Sequence, residues 1–418
     1  MKIVKRGDVS KLEIDFESHL LISGATGKSK KTTAIGRICH EAIKKGATIV
    51  ILANSKNNVE AGSCIFPITE KWHLEKLKFQ EEEPYIQQIK LYHSPTNNFP
   101  NKKLYPYEIG TFDIREYLDR TITSFLFETS TETSSLSALN NQIENLSKKD
   151  SYFNLIQKIK TQSTSTQYST IMNYFQKLKL NPLFFPSTSK YNFNFEKILK
   201  DNKHFHIFDN RFHQDPKIKV LNNLLILNAI KKVKEEGKVK NQVVIVMDEL
   251  KSFVPAQPQF QYQSILAKIL SDLISTLRSI GVMFVTATQS IFAIDQNVMQ
   301  SFSDIIQGRT TALQELKQLS QIIGLNHFDR QEIMSLQPNQ FVLLSQLNIG
   351  ILEPYTFHVA PFNYFSSGQH FDRMAEKYYP DKLISHKALI EEVKKDYKDQ
   401  EKTAEKRDLS KKPIKRDM

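Results

Sequence analysis

The chain has 418 residues and only two cysteines, Cys39 and Cys64. Two thiols can form neither a disulfide framework nor a zinc site, so both are expected to be buried thiols in a reducing cytoplasm. No apolar run is long enough to span a bilayer, and the start, Met1 to Asp8, lacks the pattern of a secretory signal. A soluble, cytoplasmic protein is therefore expected. The sequence shows no internal repeat and no convincing low-complexity segment. His204, His206 and His213 lie close together, but no carboxylate or cysteine pattern completes a metal site around them.

What the chain does have is positive charge. Lysine and arginine total 57 against 45 acidic residues, a net charge of +12 with a sequence pI near 9.3. That balance suits a polyanionic partner, with nucleic acid the leading candidate and an acidic membrane surface the second. Lysines crowd the last residues, 393–418, which read as a solvated helix fraying into a basic tail.

The pattern that organises the rest is Leu20 to Ile22, a short apolar strand, followed by Gly24-Ala25-Thr26-Gly27-Lys28-Ser29-Lys30-Lys31-Thr32-Thr33 and a helical stretch from Ala34 to Lys45. Strand, glycine turn and helix bind a triphosphate through inward-pointing backbone N–H groups, the helix N-terminus and a lysine. Set on the phosphate-binding pattern G-x-x-x-x-G-K-[ST] from Gly24, the lysine is Lys30. Ser29 then stands at the second glycine and Lys31 at the hydroxyl that holds Mg²⁺, which leaves Thr32 or Thr33 to supply that hydroxyl. The other register, ending in Gly27-Lys28-Ser29, needs a glycine at Ile22 inside the strand. An ordinary strand–turn–helix is the plain alternative.

Two further strands bring polar residues to the same sheet edge. Val243 to Val246 is a buried run that delivers Met247-Asp248-Glu249. In that position Asp248 holds Mg²⁺ directly or through water, and Glu249 orients and deprotonates the attacking water. Val282 to Thr288 leads to Gln289, placed to hydrogen-bond the γ-phosphate or that water. A strand ending in two solvated acids, or in a glutamine, is the ordinary counterpart of each. Asp209 ends another short strand, Phe205 to Asp209, as an edge residue or as a turn or cap.

The order of these segments resembles the FtsK–HerA superfamily of hexameric DNA-pumping ATPases. The match rests on His19-Leu20-Leu21-Ile22-Ser23-Gly24-Ala25-Thr26-Gly27, then Met247-Asp248-Glu249, then Arg278-x-x-Gly281-Val282 leading to Ala287-Thr288-Gln289. Ile51-Leu52-Ala53-Asn54-Ser55-Lys56 resembles that family's second core strand, with Asn54 where an aspartate is usual. The likeness covers roughly residues 10–56 and 200–360. It implies an α/β fold of the P-loop NTPase (RecA-like) kind, a mostly parallel sheet flanked by helices, with ATP and Mg²⁺ as cofactors and DNA as partner. By the resemblance Lys30 corresponds to the phosphate lysine, Asp248 to the metal carboxylate, Glu249 to the base and Gln289 to the sensor; Thr32 is taken as the hydroxyl that joins Asp248 at the metal. A neighbouring subunit of a homo-hexamer supplies an arginine, for which Arg278 and Arg309 are the candidates, with Lys317 behind them; a surface arginine is the plain alternative.

The expected organisation is a first core segment (1–56), a mostly helical insertion (57–199) with helical patterns at Ile114 to Phe127, Leu136 to Ile159 and Thr170 to Leu178, a second core segment (200–365) that includes a helix around Leu313 to Ile323 and strands at Phe341 to Leu344 and Tyr355 to Val359, and a charged tail (366–418). The expected function is ATP-driven pumping of plasmid, mobile-element or viral DNA, with a relaxase, capsid or membrane channel as recruiting partner. Ser29 and Lys31 depart from the pattern, so a nucleotide-binding DNA scaffold with little turnover stands as the alternative. A protein-remodelling ATPase is a third reading.

Overall fold

The computed structural model describes residues 2–6, 9–13, 16, 18–25, 31–54, 66–67, 89–129, 131–179, 183–323, 327–337, 340–345, 355–358, 364–365 and 371–410. The chain divides into two compact units. The first comprises 1–91, 195–211 and 230–383, the second 92–194, 212–229 and 384–418.

The first unit is built on a sheet whose strands are β1 (Leu20–Ser23), β2 (Thr48–Ala53), β3 (Ile89–His93, in this unit as far as Leu91), β4 (Phe205–Asp209), β5 (Val243–Met247), β6 (Val282–Thr288), β7 (Asp304–Gly308), β8 (Gln340–Ser345) and β9 (Tyr355–His358). Their order is β9-β8-β7-β1-β6-β5-β2-β4-β3. From β7 to β4 every neighbouring pair is parallel, while β8 pairs antiparallel with both β7 and β9. Every residue of β1, β2, β4, β5, β6 and β7 is buried. A parallel sheet covered on both faces has no solvated side, so its strands read as continuous apolar runs rather than alternating ones.

Helices supply the cover. The helix α1 (Lys31–Lys44) follows β1 and buries Ala34, Ile35, Ile38, Cys39 and Ala42, one stripe at helical spacing. A second, α2 (Gln261–Ser279), buries Ile265, Leu266, Leu270, Leu273, Ile274 and Leu277 and feeds β6 through Gly281. The base of β1 is fixed to both elements by His19. Its Nδ1 accepts from the Phe284 N–H at 3.0 Å and its Nε2–H donates to the Ile274 carbonyl at 2.8 Å. That pair of bonds requires the neutral ring.

In the second unit the sequence reading needs two revisions. The continuous helix expected over Leu136 to Ile159 is two helices, Ser134–Glu144 and Tyr152–Gln162, because Ser151 and Asn154 form a capping box that starts the second one afresh. The lysine-rich stretch expected as a solvated helix fraying into a tail is a helix over Lys387–Ser410, but one face of it is not solvated: it buries Ile390, Val393, Tyr397 and Ala404. Tyr397 packs on Phe153 (5.0 Å between ring centroids) and Phe185 (5.9 Å). A stripe of four residues is enough to seat a helix whose other faces are charged.

The buried histidines make the first unit acid-sensitive. Burial lowers the pKa of His19 and of His206 to about 4, against roughly 6.5 in the unfolded chain. The folded state thus binds fewer protons than the unfolded chain between about pH 6.5 and about pH 4. The stability each neutral ring contributes is complete above about pH 6.5 and drains as pH falls through about 4, up to ~3 kcal/mol per site. Urea midpoints measured from about pH 7.5 down to about pH 4.5 should fall steadily; a flat profile would contradict neutral, buried rings.

Candidate functional site: the carboxyl edge of the parallel sheet

Because β7, β1, β6, β5 and β2 run in one direction, their carboxyl ends share one edge. The registers fix which residues arrive together: Ser23 of β1 lies between Thr288 of β6 and Gln307 of β7, and Met247 of β5 is opposite Thr286. That edge carries Gly24, Asp248, Gln289 and Arg309 one or two residues beyond their strands. The acidic-pair strand is not next to the phosphate-turn strand. With β6 between them, the axes of β1 and β5 are roughly 9.5 Å apart. Gln289 follows the strand that lies between them.

Gly24 has φ +146°, a backbone angle that L side chains rarely adopt, and it turns the chain out of β1. Ala25 is held by its N–H donating to the Arg309 carbonyl at 2.9 Å. Residues 26–30, with Thr26, Gly27, Lys28, Ser29 and the proposed phosphate lysine Lys30, lie outside the described residues, as does the side chain of Thr33. On the far side of the turn α1 begins at Lys31, with Thr32 beside it and half-buried. The Lys31 Nζ donates to the Gly24 carbonyl at 2.7 Å, so the side chain reaches back to the end of β1. Burial lowers its pKa, opposed by the negative charges of Asp248, Glu249 and Glu315.

The acidic pair is under two kinds of constraint. Burial raises the pKa of Asp248 to about 6; the Glu249 N–H, donating to its Oδ1 at 2.8 Å, and the Lys31 charge pull the other way. Glu249 itself has φ +56° and ψ +53°, the left-handed conformation that costs a non-glycine residue roughly 1–2 kcal/mol. Strain of this kind concentrates where side-chain direction matters. Thr286 Oγ1 donates to the Met247 carbonyl, which pins β6 to β5 one residue before the pair.

Sequence reasoning missed Glu315. It is a buried carboxylate in the first turn of the helix Leu313–Ile323, accepting from Thr310 Oγ1 at 2.9 Å and from the Ile291 N–H at 3.4 Å. It therefore joins the turn after β6 to the turn after β7, beside the phosphate turn. Only its amphipathic helix was visible in the sequence.

The remaining candidates separate. Gln289 is exposed at the edge. Arg309 is half-buried there, and its carbonyl holds the chain's own turn. Arg278 is exposed at the end of α2, on the opposite edge of the sheet, near His19. Lys317 is exposed on the helix Leu313–Ile323. Asp209 is occupied: both its oxygens bind Arg211 Nε, at 2.9 and 2.8 Å, and Arg211 reaches Asp372 at 3.2 Å. Among the described residues no group of three histidines, cysteines or carboxylates is arranged to hold a metal. No described helix is long and apolar enough to cross a membrane.

No family model and no curated protein sequence matches the chain. Solved structures do. The chain is similar to VirB4 of Thermoanaerobacter pseudethanolicus, with a TM-score of 0.53 and 11% identity over 84% of this chain and 92% of that one. It is also similar to the bacterial conjugative coupling protein TrwB, which has been solved unbound and with ADP and Mg²⁺. The ADP complex has a TM-score of 0.51 and 12% identity, over 84% of this chain and 87% of that one. At such identities the likeness is one of fold. The chain has the P-loop NTPase fold of these structures, a mostly parallel sheet flanked by helices.

Relieving either constraint on the acidic pair should stabilise the protein. Asp248 binds its proton more tightly when folded, so its contribution is present at low pH and lost as pH rises through about 6. Asp248→Asn keeps the Oδ1 acceptor and should gain about 1–3 kcal/mol near neutral pH, a gain that vanishes below pH ~4. Glu249→Gly should gain ~1 kcal/mol by removing the left-handed strain. Thermal melts at two pH values would measure both, and a loss of stability in either variant would contradict the geometry.

Proposed function

We propose that the chain is an ATP-driven DNA translocase, hydrolysing ATP at the carboxyl edge of its parallel sheet. The observation that carries this reading is the convergence of a glycine turn, a half-buried acidic pair and a polar strand end on one edge. The strand β6 lies between the strand of the turn and the strand of the acids and brings Gln289 between them. The net charge of +12 supports DNA as the polymer moved.

In this reading Lys30 and the N–H groups of Gly24 to Thr33 hold the phosphates, Glu249 takes the proton of the attacking water, and Gln289 hydrogen-bonds the γ-phosphate or that water. Arg309 belongs to the chain's own turn. Arg278, on the opposite edge, is the arginine available to a neighbouring copy in a homo-hexameric ring. The description of TrwB as a bacterial conjugative coupling protein is in keeping with DNA transfer, and a relaxase, capsid or membrane channel would recruit such a motor. A Mg²⁺ ion would take Asp248 and Thr32 as ligands, but the position between them is contested. The residue at the start of α1 is Lys31, which has three N–H donors and no lone pair to offer a metal.

A nucleotide-binding DNA scaffold with little turnover is the second reading, and Lys31 is the observation that favours it. ATP hydrolysis with and without DNA separates the two. DNA-stimulated turnover, lost in Lys30→Ala and reduced ~10²–10⁴-fold in Glu249→Gln, is the expected result. DNA binding without turnover would leave the scaffold. Turnover that survives Lys30→Ala but not Lys28→Ala would move the phosphate lysine.

A further inference from the structure

The amino edge of the sheet differs in charge from the carboxyl edge. β5, β2 and β4 are adjacent and parallel, so their amino ends lie side by side. Three segments lead into them. The end of α1 and its turn (37–47) enter β2, the short helix Phe195–Lys200 and its turn (195–204) enter β4, and the last turn of the helix Pro216–Glu235 with the turn after it (231–242) enters β5. Under a tenth of the chain, these segments carry eleven lysines and arginines against five acids. The surplus of six is half of the net +12, gathered at the ends of three neighbouring strands.

The three turns are tied to one another, so the charges keep fixed places. Asn202 Nδ2 donates to the Gly46 carbonyl at 3.1 Å, and Asn241 Nδ2 to the Leu199 carbonyl at 3.3 Å. Thr48 Oγ1 donates to the same Leu199 carbonyl at 2.7 Å. Each of the five acids already pairs with a lysine or arginine, as Glu41 does with Arg37 and Asp201 with Lys90. The surplus therefore falls to exposed lysines, among them Lys44, Lys45, Lys203 and Lys240. Helix dipoles account for part of it, since a C-terminus favours lysine within its last turn. Lys45, Lys203 and Lys240 stand beyond the helix ends.

The surface has charge but no apolar anchor. The large apolar side chains exposed among the described residues are Phe260, Leu313, Ile384 and Leu389, none of them in these segments. Firm attachment to a lipid surface takes apolar burial as well as charge, and stacking of unpaired bases takes aromatic rings. A polyanion held through its backbone charge needs neither.

We propose that the amino ends of β5, β2 and β4 form a docking surface for the phosphate backbone of double-stranded DNA, separate from the nucleotide edge. The inference rests on the DNA reading given above and adds where the polymer lies. Three adjacent strand ends span about 10 Å. A duplex presents about one negative charge per 1.7 Å of its axis, so about 10 Å of it matches the surplus of six. Contacts of this kind read no base sequence and displace condensed counterions, so binding is indifferent to sequence and weakens steeply with salt.

The test is the affinity of the full chain for a fluorescent duplex of about 30 base pairs, titrated at several salt concentrations. Two quadruple variants are compared with the wild type. One carries Lys44→Gln, Lys45→Gln, Lys203→Gln and Lys240→Gln. The other carries Lys395→Gln, Lys398→Gln, Lys402→Gln and Lys406→Gln, all exposed on the helix Lys387–Ser410. Thermal melts check that both fold, and the pair Lys203→Gln, Lys240→Gln stands in if the first quadruple variant does not. The edge variant should lose about tenfold or more in affinity near 0.1 M salt, with a salt slope shallower by about one per lysine removed. The helix variant should stay within about threefold of the wild type. An edge variant that binds as the wild type does, or equal losses in the two variants, overturns the inference and leaves the DNA reading standing. An edge variant that keeps its DNA affinity but no longer binds vesicles of acidic phospholipid also overturns it and assigns the surface to a membrane. A wild-type chain that binds no duplex at any salt concentration removes the DNA reading and this inference with it.

Discussion

The site depends on β1 being hydrogen-bonded on both sides, in parallel, to β6 and β7. Those two ladders decide that Ser23 and Gly24 emerge beside Thr288 on one flank and Gln307 on the other. A one-residue slip in either would move every polar strand end to the wrong face or depth. His19 guards against the slip at the other end of the strand, since its ring joins the Phe284 N–H of β6 to the last turns of α2 through Ile274. The geometry at the carboxyl edge is thus set partly by a neutral imidazole at the opposite edge.

The same arrangement explains why the acidic pair can sit in an expensive conformation. β5 is buried throughout and hydrogen-bonded on both sides, to β6 and β2, so the strand determines where Asp248 and Glu249 stand. The raised pKa of Asp248 and the left-handed backbone of Glu249 are costs that the surrounding sheet sustains. Neither would persist at the end of a loosely held strand. Glu315 plays the corresponding part for the loops, because its two acceptor contacts hold the turns after β6 and β7 to one another.

Much of this was legible in the residues. Val243 to Val246 and Ile49 to Leu52 announce strands buried on both faces. The spacing from Leu20 to the turn and then to Ala34 announces strand, turn and helix, and the two antiparallel strands at the far edge, Phe341 to Leu344 and Tyr355 onward, were expected as strands. What escaped has a common cause. The helix Lys387–Ser410 is held by four side chains on one stripe, which its charge density masks. The break at Ser151 is a local capping decision inside an apolar pattern that continues across it. Asp209 proves to be a partner of Arg211, and Glu315 a partner of Thr310, contacts that depend on where separate loops meet. Sequence periodicity reports which face of an element is apolar; it does not report which turn lies beside which.

The division of the chain has a consequence for how the protein is made. The polypeptide passes from one unit to the other at residues 91/92, 194/195, 211/212, 229/230 and 383/384. The first unit lacks Asp372, the partner of Arg211, until nearly nine-tenths of the chain has been synthesised, and the second lacks Tyr397 until later still. Neither can therefore close as an autonomous piece on the ribosome in the usual N-terminal-first order. The pairings that complete them are far apart in sequence, which makes folding slow and leaves β2 and β5 without their full cover during synthesis. Expression of isolated segments cut at 56, 199 or 365 would strand part of one unit in each piece, so the smallest unit of folding here is close to the whole polypeptide.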